Sequence, residues 1–251
     1  MRLVFLSFLW IVLSSSVMGS TALNEFNRGN AYYEKQNYDS AIVVYEGLID
    51  NAYFSDDLHY NLANAYFKSN RLAKAILHYE KALKINPSNT DAAYNLAIAN
   101  EKTVDRIEAI PELFIYRWWK SIFNLFSADL WSKIALFLFF IALVGISLYW
   151  FLSTISVRKT GFFAAIISLI LALFSWFIAM QQNNYLNKLN FAIIIEPTVN
   201  IISSPSPGSS TLFVLHEGTK VKVKDEKGEW YNVSLPNGNE GWIKKSLVGE
   251  I

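Results

Sequence analysis

The sequence contains no cysteine and few charged residues. Only 17% of its 251 residues are Asp, Glu, Lys or Arg, whereas a soluble globular protein usually carries about a quarter. Without cysteine the chain has no disulfide, no cysteine-ligated zinc site and no thiol nucleophile. Its net charge of +1 gives no basic footprint of the kind that nucleic-acid-binding proteins carry. We therefore expect no disulfide, no cysteine-ligated zinc, no thiol catalysis and no nucleic-acid binding.

The sequence motifs of enzymes and metal sites are also missing. The three histidines, His59, His78 and His216, are far apart, and none has the spacing of metal ligands. No glycine-rich phosphate loop, no G-x-S-x-G elbow and no paired carboxylates stand out. We therefore expect a protein that is not an enzyme and that holds no cofactor or metal ion.

A first uncharged run lies at the start of the chain. Arg2 precedes the apolar residues 3–13, and small residues follow them. Eleven residues of helix reach about 16 Å, which is too short for the ~30 Å hydrocarbon core of a membrane. The pattern predicts a secretory signal peptide over 1–22, cleaved after Gly19 or Ala22, with an uncleaved anchor as the alternative. Either one sends the following chain across a membrane.

Two longer uncharged runs lie near the middle of the chain. Residues 134–157 correspond to about 36 Å of helix and residues 162–180 to about 28 Å. Both lengths suffice to span a membrane, so we predict a hairpin of two transmembrane helices joined by a loop at 158–161.

The charges beside these runs bear on topology. Arg158 and Lys159 lie in the predicted loop, and the positive-inside rule places a short basic loop in the cytoplasm. Export by the signal peptide agrees with this, and puts both folded domains in the periplasm, at the inner membrane. Arg117, Lys120 and Lys133 flank the first span on the opposite side and favour the inverted topology, which stays open.

Residues 23–104 hold an internal repeat, visible in "NRGNAYYEKQNYDSAIVVYEGLI" and "NLANAYFKSNRLAKAILHYEKAL". Small residues let paired helices approach closely, and tyrosine rings fill the space beside them. The period of about 34 residues and these residue types resemble the tetratricopeptide repeat, with repeats at 22–55 and 56–89 and Pro87 ending the last helix. The matched positions are Gly29 and Ala63, Tyr32 and Tyr66, Ala41 and Ala75, and Tyr45 and Tyr79.

A third copy of the repeat begins and then fails. Leu96 and Ala97 match the second repeat, but Asn100 stands where the pattern has Tyr66. We interpret residues 91–104 as a capping helix, with Asp91 as its N-cap, that closes a repeat region ending at residue 110.

The resemblance to tetratricopeptide repeats implies a peptide-binding groove. In the family an Asn at the ninth position bonds the peptide backbone, and here that position is Asn30, Asn64 and, in the third copy, Ile98. The positions of the family's carboxylate clamp hold Phe26, Asp91 and Asn95, so the clamp is absent. The aromatic lining suits an apolar or proline-containing segment, with core packing as the open alternative. This lining consists of Phe26, Tyr33, Tyr60, Phe67 and Tyr94; Asn27, Asn61 and Asn95 recur at one phase and could serve helix contacts.

Residues 111–131 are aromatic and weakly basic. We predict an interfacial helix, with tryptophan at the level of the lipid headgroups and Arg117 and Lys120 reaching phosphates. Packing under the repeat array is the alternative. The shared apolar face of the helix consists of Trp119, Ile122, Phe123 and Phe126.

Residues 191–251 change character to short alternating segments. "KVKVK" has the alternation of a half-buried strand, and "SLPNGNEGW" predicts a hairpin that turns at Asn237–Gly238. About five short strands in this length indicate a small barrel, which resembles a bacterial SH3-like domain. The resemblance depends on Glu217, Gly218, Trp230, Val233, Gly238, Gly241, Trp242 and Ile243.

These parts predict a multidomain membrane protein with all-α repeat hairpins, two transmembrane helices and a small all-β SH3-like barrel. Their order, and above all "IPELFIYRWWKSIFNLFSADLW", resembles the BatE-type proteins of bacterial aerotolerance operons. The resemblance implies a periplasmic scaffold that works with membrane-anchored von Willebrand A-domain proteins, indirectly with a MoxR-type AAA+ ATPase, and in oxidative-stress tolerance. The alternative is a wall-anchoring module that binds peptidoglycan through the SH3-like domain.

Overall fold

The computed structural model describes residues 21–107, 113–186 and 191–251, which belong to two compact units. One unit contains the helical repeats and the C-terminal sheet, and the other contains the aromatic segment and the two long apolar helices. The predicted signal peptide lies outside the described residues except for residues 21 and 22, which are helical.

Five helices form the repeat region. The two repeats have the same turn geometry, because Gln36 and Asn70, which occupy equivalent positions in the two copies, both adopt a positive φ of 59° between the paired helices. Side-chain caps begin three of the helices: Asn37, Ser55 and Asn89 each accept a hydrogen bond from a backbone N–H three residues on. The helices are α1 (21–34), α2 (Tyr38–Asp50), α3 (Asp56–Lys68), α4 (Leu72–Ile85) and α5 (Thr90–Asn100).

The residues predicted to pack the repeats lie where the period places them. Gly29 is buried against Tyr45 so closely that an added Cβ would come within 2.4 Å of the ring. Tyr32 is half-buried, and Pro87 lies between α4 and α5. The other predicted packing residues are at most 1% exposed: Ala41, Tyr45, Ala63, Tyr66, Ala75 and Tyr79.

The capping helix differs from the prediction in its cap and its end. Asn89, not Asp91, is the N-cap, because its side chain accepts from the Ala92 N–H and α5 begins at Thr90. Asp91 therefore lies inside the first turn, where a carboxylate still favours the helix dipole. The helix ends at Asn100, so residues 101–104 are not helical.

The C-terminal domain is an antiparallel sheet of seven strands: β1 (Phe191–Ile194), β2 (Thr198–Ile202), β3 (Thr211–His216), β4 (Lys220–Lys227), β5 (Trp230–Ser234), β6 (Glu240–Lys244) and β7 (Val248–Glu250). Their order in the sheet is β3-β2-β6-β5-β4-β1-β7. The predicted turn joins β5 to β6, and Gly238 has a φ of +90° there. Tyr231, Val233 and Ile243 are at most 3% exposed in its core, whereas Trp230 and Trp242 are half-buried.

The sheet shares a hydrophobic core with the second repeat. Ile193 of β1 is completely buried in the same cluster as Ile76 and Leu77 of α4, and Ile195 and Ile251 pack against that cluster. No second helix follows α5 in the described residues 101–107, and the SH3-like domain covers the face of α4 that carries Ile76 and Leu77.

Three helices form the other unit: α6 (Phe114–Phe123), α7 (Ala128–Phe151) and α8 (Ile155–Leu186). Helices α7 and α8 are both long and apolar enough to cross a membrane. Their predicted combination with helical hairpins and a small antiparallel sheet is confirmed.

The boundaries of these helices differ from the prediction. Ser127 caps α7 by accepting from the Leu130 N–H, so Trp131 belongs to α7 and not to the aromatic helix. The connection between α7 and α8 lies at 152–154, and the predicted loop at 158–161 is helical. The prediction placed the loop at the charged residues, but Arg158 lies within α8. Its side chain extends back to α7, where Nε donates to the Tyr149 carbonyl at 3.1 Å, as suits a cation at a helix C-terminus.

Small residues form the seam between α7 and α8. Gly145 and Gly161 face each other so closely that a Cβ added at Gly145 would come within 2.7 Å of the Gly161 carbonyl oxygen. Most of the buried positions on α8 follow alternating steps of four and three residues, the spacing of one helical stripe. They are Gly161, Ala165, Ser168, Ala172, Ser175, Ala179 and Gln182.

Candidate functional site

The predicted groove residues lie on the first helices of the repeats and on α5. Phe26, Tyr60 and Tyr94 occupy the same position in successive copies, and so do Tyr33 and Phe67. Tyr94 is 70% exposed, whereas the other four are half-buried and pack against the core. Four of the five rings therefore contribute to core packing, and Tyr94 is a surface residue.

The amide groups of Asn30 and Asn64 have equivalent surroundings. Asn30 Oδ1 accepts hydrogen bonds from the Tyr45 hydroxyl at 2.7 Å and from Asn61 Nδ2 at 3.0 Å. Asn64 Oδ1 accepts from the Tyr79 hydroxyl at 2.5 Å and from a second amide, Asn95 Nδ2, at 2.9 Å. Since the oxygen and the nitrogen of an amide point to opposite sides, each NH2 group is directed away from its tyrosine.

The tyrosines favour this orientation because they remain donors. Desolvation by burial is the main cause that raises the pKa of Tyr45 and of Tyr79 above the ordinary value, so both hydroxyls keep their protons at any physiological pH. Both rings are 1% exposed. In a flipped amide the NH2 group would face a second NH2 donor, that of Asn61 in the first copy or Asn95 in the second, so these neighbours hold each amide oxygen in place.

Asn61 and Asn95 connect the first helices of neighbouring copies. Each donates from Nδ2 to the groove asparagine of the copy before it, and Asn95 Nδ2 also lies 3.3 Å from the Tyr60 hydroxyl. Asn95 therefore serves helix contacts, and with Asp91 on the surface of α5 this end of the groove presents no clamp of basic side chains.

A pocket of about 280 Å³ opens beside Phe26, where α1, the end of α2 and the start of α3 meet. Tyr53 and Leu58 line it, and Asp57 supplies a carboxylate whose pKa is raised, mainly by desolvation and further by Asp56. It is an apolar pocket with a single acidic group, which suits an apolar side chain of a ligand.

Two histidines that seemed unrelated in sequence form a pair in the second repeat. His59 Nδ1 and His78 Nδ1 are 3.0 Å apart, and the rings stack with centroids 5.2 Å apart. Desolvation lowers the pKa of His59 to about 4, with Lys81 adding to the effect, and lowers the pKa of His78 well below its ordinary value. Both rings are therefore neutral at pH 7, and the Nδ1–H of one ring donates a hydrogen bond to Nδ1 of the other.

Asp105, in the segment after α5, holds the SH3-like domain against the repeats. Its carboxylate accepts from the His216 N–H at 2.7 Å, from His216 Nδ1 at 2.8 Å and from Thr219 Oγ1 at 2.7 Å. Burial alone would raise the pKa of Asp105, but these hydrogen bonds outweigh it and lower the pKa. Lys220 Nζ and Glu80 Oε2, 2.6 Å apart, add an ion pair across the same interface.

Sequence reasoning missed both the histidine pair and the Asp105 contacts. The partners in these contacts are 19 and 111 positions apart in the sequence. Only packing of the chain brings them together, so no local sequence pattern predicts the contacts. Among the three described stretches of the chain, no group of three or more acidic or histidine side chains is placed to hold a metal ion.

Comparison with known families gives three matches. The tetratricopeptide repeat matches residues 24–52 and residues 57–89, and the bacterial SH3 domain matches residues 197–249. Comparison of the chain with curated proteins gives no match. Tetratricopeptide repeats suggest protein–protein interaction, and a bacterial SH3 domain suggests binding to the cell wall. The chain thus combines two tetratricopeptide repeats with a bacterial SH3 domain.

Proposed function

We propose that the protein is a membrane-anchored scaffold whose repeat groove binds an extended, apolar segment of a protein partner. The observation that carries this proposal is the matched pair of amides at Asn30 and Asn64. Each amide oxygen accepts from a buried tyrosine hydroxyl and from a neighbouring asparagine, so its NH2 group is directed away from that tyrosine. Two such donors one repeat apart suit the backbone carbonyls of an extended chain, and the adjacent aromatic rings suit its apolar side chains.

The same proposal includes a location and partners. Helices α7 and α8 supply the membrane anchor, and the signal peptide would export the repeats and the SH3-like domain to the periplasm. The resemblance to BatE-type proteins supports von Willebrand A-domain proteins as direct partners, a MoxR-type ATPase as an indirect one, and a role in aerotolerance.

The test replaces both groove amides by carboxylates. In the variant N30D/N64D each side chain still accepts from its tyrosine and its neighbouring asparagine, but it no longer donates to a ligand. We expect recovery of a co-expressed von Willebrand A-domain protein with the full chain to fall about tenfold or more, because each lost donor leaves a peptide carbonyl facing a carboxylate.

The control adds the same charge without changing a groove amide. Asn27 is exposed one turn before Asn30 on α1, so N27D should leave recovery unchanged. Equal recovery with wild type, N27D and N30D/N64D, all with wild-type helicity, would contradict a role for the amides in binding.

The match to a bacterial SH3 domain favours a second candidate function, which is anchoring to peptidoglycan. Its test must keep the repeats, because the isolated domain would expose Ile193 and lose its bonds to Asp105. Full chain in mild detergent is sedimented with purified sacculi, with and without excess soluble peptidoglycan fragments. Sedimentation that the fragments abolish supports wall binding, and no sedimentation contradicts it.

A further inference from the structure

Helix α6 has two apolar sides, and only one of them is used inside its own unit. Trp119, Ile122 and Phe123 pack against a buried cluster formed by Trp131 of α7 with Ile178 and Ala179 of α8. This is the face that the sequence identified as the one for a membrane surface. The structure assigns it instead to the end of the α7–α8 hairpin.

Gln182 of α8 fixes how α6 lies on that end. Its side chain is 3% exposed, and its Nε2 donates to the carbonyls of Phe123 and Phe126, at and just after the last turn of α6. Carbonyls at the end of a helix lack partners within that helix, so a buried amide that satisfies both of them defines the position and rotation of α6.

The rotation leaves a second apolar side uncovered within this unit. Phe114 and Trp118 lie one turn apart on it and are 72% and 65% exposed. Arg117 and Lys120 are exposed on the polar side of α6, and the helix contains no acidic residue. Aromatic rings next to exposed cations suit a boundary between hydrocarbon and phosphate headgroups.

This side of α6 continues an apolar surface that already exists. The outer faces of α7 and α8 are exposed and apolar along their length, for example at Phe137 and Val144, which are 67% and 60% exposed. Helix α6 packs where α7 begins and α8 ends, which is one end of the hairpin and thus one border of a spanning segment.

We infer that α6 lies in the headgroup layer of the bilayer that α7 and α8 span, with Phe114 and Trp118 inserted among acyl chains and Arg117 and Lys120 bound to the phosphates of anionic lipids. The inference rests on the proposed membrane anchor. It makes Gln182 a positioning residue that sets which side of α6 meets lipid.

The absence of native cysteine allows a direct test. Single cysteines replace Trp118, Lys120 on the polar side of α6, or Val144 on α7, in the full chain. A nitroxide label is attached, and the proteins are reconstituted in vesicles of phosphatidylcholine alone or mixed with equal parts of phosphatidylglycerol. Accessibility to oxygen and to a water-soluble nickel complex reports the depth of each label.

We expect the label at position 118 to be accessible to oxygen and shielded from nickel, and the label at 120 to show the reverse. Phosphatidylglycerol should move the label at 118 deeper, and the added substitutions R117Q and K120Q should abolish that shift. A label at 118 in water while the label at 144 lies in hydrocarbon would overturn this inference alone. Labels at both positions in water would overturn the membrane anchor itself. A position 118 label at equal depth in both lipid mixtures would overturn the binding of anionic headgroups.

Discussion

Gly29 lies on α1 against the ring of Tyr45, with room for a hydrogen atom but not for a methyl group. Gly29→Ala should destabilise the first repeat by about 1 to 2 kcal/mol, because overpacking outweighs the gain in helix propensity. Hydrogen exchange of the α2 amides measures this as a loss of protection. The matched control is Gly47→Ala on α2, where an added Cβ meets nothing within 4 Å, so that its protection should stay level or rise. Equal effects of both substitutions would contradict the close contact.

The histidine pair predicts a pH dependence of stability. Folding lowers the pKa of His59 from 6.5 to about 4 and that of His78 in the same direction, so the unfolded chain binds more protons below pH 6.5. Their contribution is complete above that pH and is lost as the pH falls toward 4. Between pH 7 and pH 5 we expect the free energy of unfolding to fall by about 2 kcal/mol for His59 alone.

The pH range excludes most carboxylates, which titrate lower. The variant H59L/H78F should have a nearly flat dependence from pH 7 to pH 5, measured as protection of α3 and α4 amides corrected for the intrinsic exchange rate. A slope as steep as that of the wild-type protein would assign the dependence to other groups.

At the scale of single residues, the repeat period allowed more contacts to be predicted than local sequence patterns did. Gly29 and Ala63 were predictable because the period fixes which positions of two paired helices touch. The histidine pair was not, since His59 and His78 belong to different helices and neither breaks the repeat pattern. The orientation of Asn30 was half predictable: the family position pointed to it, but its bonds to Tyr45 and Asn61 required the packed helices.

At the scale of secondary-structure elements, the contact between the segment after α5 and the SH3-like domain gives a testable prediction. Asp105→Ala would leave the His216 N–H and the Thr219 hydroxyl without an acceptor in a half-buried interface. We expect a loss of about 3 kcal/mol, because each donor left without an acceptor costs about 1 to 3 kcal/mol. Exchange protection at β1 and at the end of α5 should fall with it. The lowered pKa of Asp105 makes this contribution complete at neutral pH and lost below about pH 4.

The control for Asp105→Ala is Asp39→Ala. Asp39 pairs with Arg71 at 2.8 Å, but both side chains are largely exposed, and such pairs contribute about 0 to 1 kcal/mol. If Asp105→Ala were as mild as Asp39→Ala, the SH3-like domain would be held by its apolar contacts with α4 alone.

The elements themselves were predictable from composition, and their ends were not. Long uncharged runs identified α7 and α8, but Ser127 and Arg158 set where the helices begin and how they end. The small residues of the seam did carry a signal: from Gly161 to Ala179 they follow steps of four and three residues. The position of α6 had no such signal, because its rotation depends on Gln182, which is 59 residues from Phe123.

For the whole molecule, the order of the domains along the chain could be predicted from the sequence, but the association of the domains could not. The tail and the repeats looked like independent modules, because the aromatic segment and both long apolar runs separate them in the sequence. In the structure Ile193 and Leu77 belong to one core, so the groove and the SH3-like domain form a single unit. A ligand of either domain therefore acts on a body that contains both, and a truncation that removes one exposes apolar surface on the other.

Topology is the property of the whole chain that decides which partners it meets. Single cysteines at Lys35, Ser156 and Lys227 are all at exposed positions, one in the repeats, one at the start of α8 and one in the sheet. In intact cells, an impermeant maleimide that passes the outer membrane should label 35 and 227 but not 156, because export places both domains outside and the charged end of the hairpin inside. Permeabilised cells, in which all three react, are the control. Labelling at 156 alone would invert the molecule: the cations of α6 would then lie on the cytoplasmic side of the membrane, peptidoglycan would be excluded as a ligand, and the groove could bind only cytoplasmic partners.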